Sequence, residues 1–274
     1  MKVPEIMRMP VHFGPRTGPR RGPNGERFEC IDGPRVRSFS VSFLTDPAQL
    51  EAMLPDQFML AGEPVVTVYA NYQTDIEWLA GRGYNLLGVR FPATFSGEQD
   101  RVTGQLLTVL WENLTDPILT GRDELGVPKI YCELPEPVQV GDDYHITASW
   151  LGYRFLDIRL SDLSPLSAEQ IAASQKAQTS AGDLHFKYIP KTGAWGEADV
   201  ACVTHIPAAT PNRVIHEQSA GQGSVEFHRA RWEDMPTQYN IVNVLQSLEI
   251  REYRGATMTR WTGGKDLSDA RILR

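Results

Sequence analysis

The group with the most chemistry in this sequence is one lysine set among apolar neighbours. It closes the stretch Trp111-Glu-Asn-Leu-Thr-Asp-Pro-Ile-Leu-Thr-Gly-Arg-Asp-Glu-Leu-Gly-Val-Pro-Lys129, with Ile130 and Tyr131 following. Burial penalises the charged form of a side chain, so an ammonium kept from water tends to give up its proton. The neutral amine is a nucleophile toward carbonyl carbon and forms Schiff bases. On local sequence alone Lys129 is either that amine or an ordinary lysine in a surface turn. Lys187 is the natural control, because Phe186 and Tyr188 flank it. Alternation along a half-buried strand sends Lys187 to the face opposite those aromatics, which predicts that it is exposed.

The segments that must position such a lysine read mostly as strands. Residues 65–72 are β-branched and aromatic, the composition of a pleated, half-buried surface. Further strands are expected at residues 36–41, 86–91, 104–111, 144–151, 153–160, 183–189, 200–205 and 224–228. Thr45 or Asp46 can cap a short helix with Pro47 in its first turn and Pro55 as its stop. Residues 167–177 read as a helix. So does a piece from Pro117 to Leu125, capped by Asp116 and ended by Gly126. Many strands with short Gly- or Pro-marked connections predict an α+β fold that is mainly antiparallel β, rather than alternating βαβ units. Residues 1–37 are dense in Pro, Gly and Arg. They read as an extended arm without a core, either a disordered tail or an arm laid on a neighbouring subunit. Residues 38–274 are expected to form a single domain.

Composition removes several classes of function. A net charge of −7 argues against a nucleic-acid partner, which needs a basic face. No apolar run approaches the ~18 residues of a membrane helix, and the first residues lack the apolar core of a signal peptide. Cys30, Cys132 and Cys202 are far apart and odd in number, which fits a reducing, cytoplasmic setting. The histidines show no paired ligand spacing and the cysteines form no Cys-x-x-Cys. With no phosphate loop or dinucleotide fingerprint either, neither metal nor cofactor is expected.

The run Gly121-Arg122-Asp123-Glu124, followed by Gly126-Val127-Pro128-Lys129, resembles the active-site signature of the acetoacetate decarboxylase superfamily. In that signature a Gly-Arg-Glu turn precedes an apolar residue, Pro and the Schiff-base lysine. The resemblance extends more weakly over residues 38–255. It implies a closed, cone-like β-barrel with a few short helices, a homo-oligomer, and Lys129 as the imine-forming residue.

Departures from the family pattern narrow the chemistry. In the decarboxylases a second lysine adjoins the first, whereas here Ile130 follows. With no adjacent charge, Lys129 is expected to be neutralised chiefly by desolvation. The resemblance also places Leu44 where decarboxylases carry an arginine, and Tyr69 and Tyr84 near positions of acids. The loss of cation and acids together points to the aldolase-dehydratase members of the superfamily, which lack the second lysine.

The expected function is therefore a lyase that condenses pyruvate or a related 2-oxo acid with an aldehyde through a lysine imine and enamine, or runs that sequence backward. The alternatives are a decarboxylase of acetoacetate or another 3-oxo acid, and a non-catalytic small-molecule binding barrel. Proton transfer and substrate binding need further groups. Glu124, Tyr84 and Tyr253 are the candidates for catalysis beside Lys129, with Arg122 and Tyr72 for substrate binding. A tyrosine can donate a hydrogen bond to a carboxylate without adding fixed charge. Arg122 is also placed to hold the turn by an ion pair with Asp123 or Glu133.

Overall fold

The computed structural model describes residues 6–16, 18–177 and 180–274, so residues 1–5 and 17 of the arm lie outside the described residues. The described residues form fourteen strands. In order they are β1 (Arg35–Leu44), β2 (Phe58–Leu60), β3 (Val65–Thr74), β4 (Tyr84–Ser96), β5 (Arg101–Glu112), β6 (Lys129–Tyr131) and β7 (Val138–Val140). There follow β8 (Asp143–Trp150), β9 (Tyr153–Pro165), β10 (Gly182–Lys191), β11 (Ala194–Pro207), β12 (Val214–Phe227), β13 (Glu252–Thr262) and β14 (Arg271–Leu273). The α-helices are α1 (Pro47–Glu51), α2 (Thr115–Thr120), α3 (Ala168–Ala177) and α4 (Tyr239–Gln246). None of the described helices is long and apolar enough to cross a membrane.

All strands belong to one mixed sheet with the order β14-β11-β10-β5-β4-β3-β1-β13-β12-β9-β8-β7, and β2 and β6 pair off that path with β4 and β5. Pairing is antiparallel except at β5–β10 and β5–β6. Period-2 burial explains the individual strands: in β3, Val66, Val68, Ala70 and Tyr72 are buried while the residues between them are only partly covered. Asp46 caps α1 by accepting from the Ala48 amide at 2.8 Å, and Pro47 starts that helix.

The expected closure is not formed among the described residues. The path ends at β7 and β14, three-residue strands with no ladder between them. Curling replaces closure. Phe39 of β1 meets Tyr144 of β8 at 4.9 Å between ring centroids, and Trp111 of β5 meets Phe155 of β9 at 5.1 Å. Strands so far apart in the pairing order touch only because the sheet wraps one face around a common core. β4 and β5 are the exception to one-sided burial. Their other faces carry a second apolar cluster of Leu86, Leu107 and Leu110 with Leu125 and Val127, and the lysine lies on that side.

Candidate active site

A short sequence of local events delivers Lys129. After α2 the chain makes one wide π-helical turn, Gly121–Leu125. Gly126 then takes φ 74°, a left-handed cap that costs glycine no strain. The Val127 amide closes the turn by donating to the Gly121 carbonyl at 3.1 Å. Pro128 cannot extend a helix, so the chain enters β6, where Lys129 pairs with Leu110 of β5 in parallel register. Asp116, expected as the cap, falls inside the first turn of α2, and the cap position is Leu114. Gly121 is required for a different reason. A Cβ there would stand 2.5 Å from Cδ and Cε of Lys129, so the lysine side chain lies across the bare glycine backbone.

Lys129 is 8% exposed. Its Nζ donates to the Pro117 carbonyl at 3.0 Å and stands 2.8 Å from Oε1 of Glu112. Glu112 is 0% exposed, and neither of its oxygens has a well-directed hydrogen bond among the described residues. The lysine charge is therefore its close compensation. Burial raises the Glu112 pKa, and Lys129 opposes the rise. Desolvation does not act on a lysine free of close charge, as the sequence had led us to expect. The counter-charge comes from β5, seventeen positions earlier, because parallel β5–β6 pairing sets Glu112 beside the lysine. A carboxylate directly after the apolar run Val109-Leu110-Trp111 was the available signal.

The amine borders a cavity of about 240 Å³ whose walls include Tyr84, Gln73, Trp78, Phe28 and Arg20. The Tyr84 hydroxyl is held well above its ordinary pKa by burial and by the Glu112 charge, against a hydrogen bond with Gln73. It is a neutral donor at ordinary pH. Arg20 arrives from the N-terminal arm, donating to the Asp266 carbonyl at 3.4 Å and standing 3.8 Å from Glu124. Burial lowers its pKa while the Glu124 charge opposes. Cys30, another arm residue on the wall, has its thiol pushed up to about 12 by burial and by Glu77. Behind the π-turn, Thr204 donates to the Leu125 carbonyl at 2.7 Å and lies 3.4 Å from Nδ1 of His185.

The other residues singled out in the sequence separate clearly. Tyr84 shares the cavity with Lys129. Glu124 does not reach the amine, because Arg8 and Arg20 of the arm hold it on the outer side of the turn. Arg122 donates to the Lys129 backbone carbonyl at 2.9 Å, fixing the lysine's chain rather than facing the cavity. Tyr72 is in the main core, edge-on to Phe39 and under Arg37. Tyr253 is 38% exposed. Its hydroxyl exchanges 3.2 Å bonds with the Val225 backbone and borders a different cleft. Lys187 reverses its expected face. Phe186 and Tyr188 are exposed, while Lys187 packs on Gly126 and bonds the Asp123 carbonyl. Alternation holds, but the π-turn residues Asp123 and Gly126 cover the lysine's side. Glu112 and Arg20 are the site residues that the sequence did not reveal. Among the described residues no three His, Cys, Asp or Glu side chains converge as a metal site.

The acetoacetate decarboxylase family model matches residues 8–264, nearly the whole chain. The chain belongs to that family. Among solved structures, an acetoacetate decarboxylase from Legionella pneumophila aligns with TM-score 0.66 and 19% identity, covering 92% of each chain. The enduracididine biosynthesis enzyme MppR, complexed with the condensation product of pyruvate and imidazole 4-carboxaldehyde, aligns with TM-score 0.61 and 13% identity. That alignment covers 92% of this chain and 93% of that one. An acetoacetate decarboxylase-like enzyme from Sphingomonas wittichii aligns with TM-score 0.63 and 15% identity, covering 90% of this chain and 94% of that one. At these identities the likeness is one of fold. Among curated protein sequences none matches the chain.

Proposed function

We propose that this acetoacetate decarboxylase family member is a lyase in which Lys129 forms an imine with the ketone of a small 2-oxo acid, pyruvate or a close relative. The observation that carries the reading is a buried amine 2.8 Å from a buried carboxylate on the wall of a 240 Å³ cavity. That space is small beside typical ligand pockets of roughly 300–1,000 Å³, and it suits a substrate of a few carbons.

The residues supply the proton movements that imine formation needs. Glu112 first takes a proton from the Lys129 ammonium; the freed lone pair then bonds to carbonyl carbon as the carbonyl π pair moves to oxygen. The oxygen collects protons, with Tyr84 as its hydrogen-bond donor, and leaves as water. Overall an ammonium and a ketone give a protonated imine and water. Arg20, which with Lys265 brings positive charge to the cavity wall, is the arginine there that a substrate carboxylate can engage in competition with Glu124. A protonated imine acidifies the adjacent C–H, and its enamine can add to an aldehyde and then lose water. Glu112 favours this aldolase-dehydratase course. A neighbouring cation activates a lysine by repelling its proton. This site instead holds a carboxylate able to accept that proton and return it. MppR, described with pyruvate and with a pyruvate–aldehyde condensation product, is a precedent on the same fold. Decarboxylation of a 3-oxo acid is the second reading, supported by the family match.

The deciding experiment treats the protein with pyruvate and borohydride and maps the reduced adduct by peptide mass. Adduct on Lys129 supports the reading, whereas adduct confined to Lys187, or none, refutes it. Carbon dioxide release from acetoacetate, without product from pyruvate and an aldehyde, selects the second reading.

A further inference from the structure

A second cleft, of about 450 Å³, shares walls with the Lys129 cavity at Pro34, Gln73, Lys265 and Leu267. Three cations border it: Arg90, Arg213 and Lys265. Two are matched. Arg90 pairs with Asp183 at 3.2 Å and Lys265 with Asp269 at 2.7 Å. Arg213 is not. The one specific contact of its guanidinium among the described residues is with the Trp261 ring, 4.1 Å from guanidinium carbon to centroid. Arg90 likewise lies over the Tyr69 ring at 4.9 Å. Stacking fixes a guanidinium plane and leaves its N–H edge free for an oxyanion.

Arg213 is also short of negative charge. Burial lowers its pKa and the Arg90 charge lowers it further, with no anion opposing them. Protein atoms crowd the guanidinium, yet the residue remains exposed to solvent along the cleft, so a ligand can reach it. An uncompensated arginine in a polar cleft, beside a second arginine, is an arrangement that a carboxylate completes.

We propose that this cleft is a carboxylate subsite and that the physiological substrate is a dicarboxylic oxo acid. One end meets Lys129 and the remote carboxylate docks on Arg213. This rests on Lys129 being the imine-forming residue, as argued above, and it names the substrate class that the larger space selects.

The test compares probes of matched length in borohydride trapping at Lys129: 2-oxoglutarate against 2-oxopentanoate, and 2-oxoadipate against 2-oxohexanoate. At least one dicarboxylate should half-saturate labelling at about tenfold lower concentration than its uncharged-tail partner, the size of one charge-assisted hydrogen-bonded contact. In Arg213→Gln, checked for an unchanged unfolding midpoint, that ratio should collapse toward one. Equal half-saturation of both pairs in the natural protein, or a preference that survives Arg213→Gln, overturns the proposal. Calorimetry with glutarate and adipate, which have no ketone, judges the subsite without the amine. Binding that Arg213→Gln abolishes supports the subsite even if no probe labels Lys129, an outcome that would refute the imine reading alone. Failure of both diacids to bind the natural protein refutes the subsite.

Discussion

Replacing Glu112 by glutamine removes the negative charge facing Lys129 while nearly preserving side-chain shape. At the observed 2.8 Å, the Coulomb attraction is about 6 kcal/mol for an effective dielectric of about 20. The desolvation of both ions offsets much of that. Removing a single partner, however, leaves the other charge buried and unmatched, which costs about 3–5 kcal/mol. Glu112→Gln and Lys129→Met should each destabilise the protein by that order in urea unfolding. The double variant should be less destabilised than the sum of the two, because it leaves no orphaned ion. Additive losses, or single losses within about 0.5 kcal/mol as at ordinary surface sites, would show that the pair does not hold a buried charge. The same variant tests the chemistry. Borohydride trapping should slow, because an amide cannot take up the lysine proton, and trapping at the natural rate would contradict the role given to Glu112.

Two further outcomes follow from the same geometry. Gly121→Ala sets a methyl 2.5 Å from Lys129 Cδ and Cε. The flexible lysine must move, and trapping should fall about a hundredfold, as for a reacting group misplaced by an ångström, in a chain that still unfolds cooperatively; trapping at the natural rate would refute this. Burial holds His185 at a pKa of about 4 against an ordinary 6.5, with Asp183 opposing and Lys129 and His205 assisting. The unfolded chain therefore takes up this proton first as pH falls. Stability should drop between about pH 6.5 and 4, by about 3 kcal/mol in total from this group. His185→Gln should flatten the urea midpoint over that range, and equal slopes would remove His185 as the cause.

What the sequence determined by itself was local. The strand composition of residues 65–72 and a helix cap at Thr45 or Asp46 before Pro47 needed only propensity; the structure forms both, with Asp46 as the cap. The Gly121 to Lys129 run carries its own turn chemistry, so the lysine could be singled out before its surroundings were known. β13 and α4 were not legible, because mixed polar and apolar residues there depend on which neighbours cover them. Tertiary structure decided the rest. Parallel pairing of β5 with β6 brings Glu112 to the amine, and the arm brings Arg20 to the cavity, contacts between segments that no local pattern connects. Packing of the π-turn on β10 half-buries Lys187, since alternation fixes only that adjacent residues differ. The same holds for Tyr72, Tyr84 and Tyr253, alike as strand tyrosines in sequence. Only the curl of the sheet assigns one to the cavity, one to the core and one to another cleft.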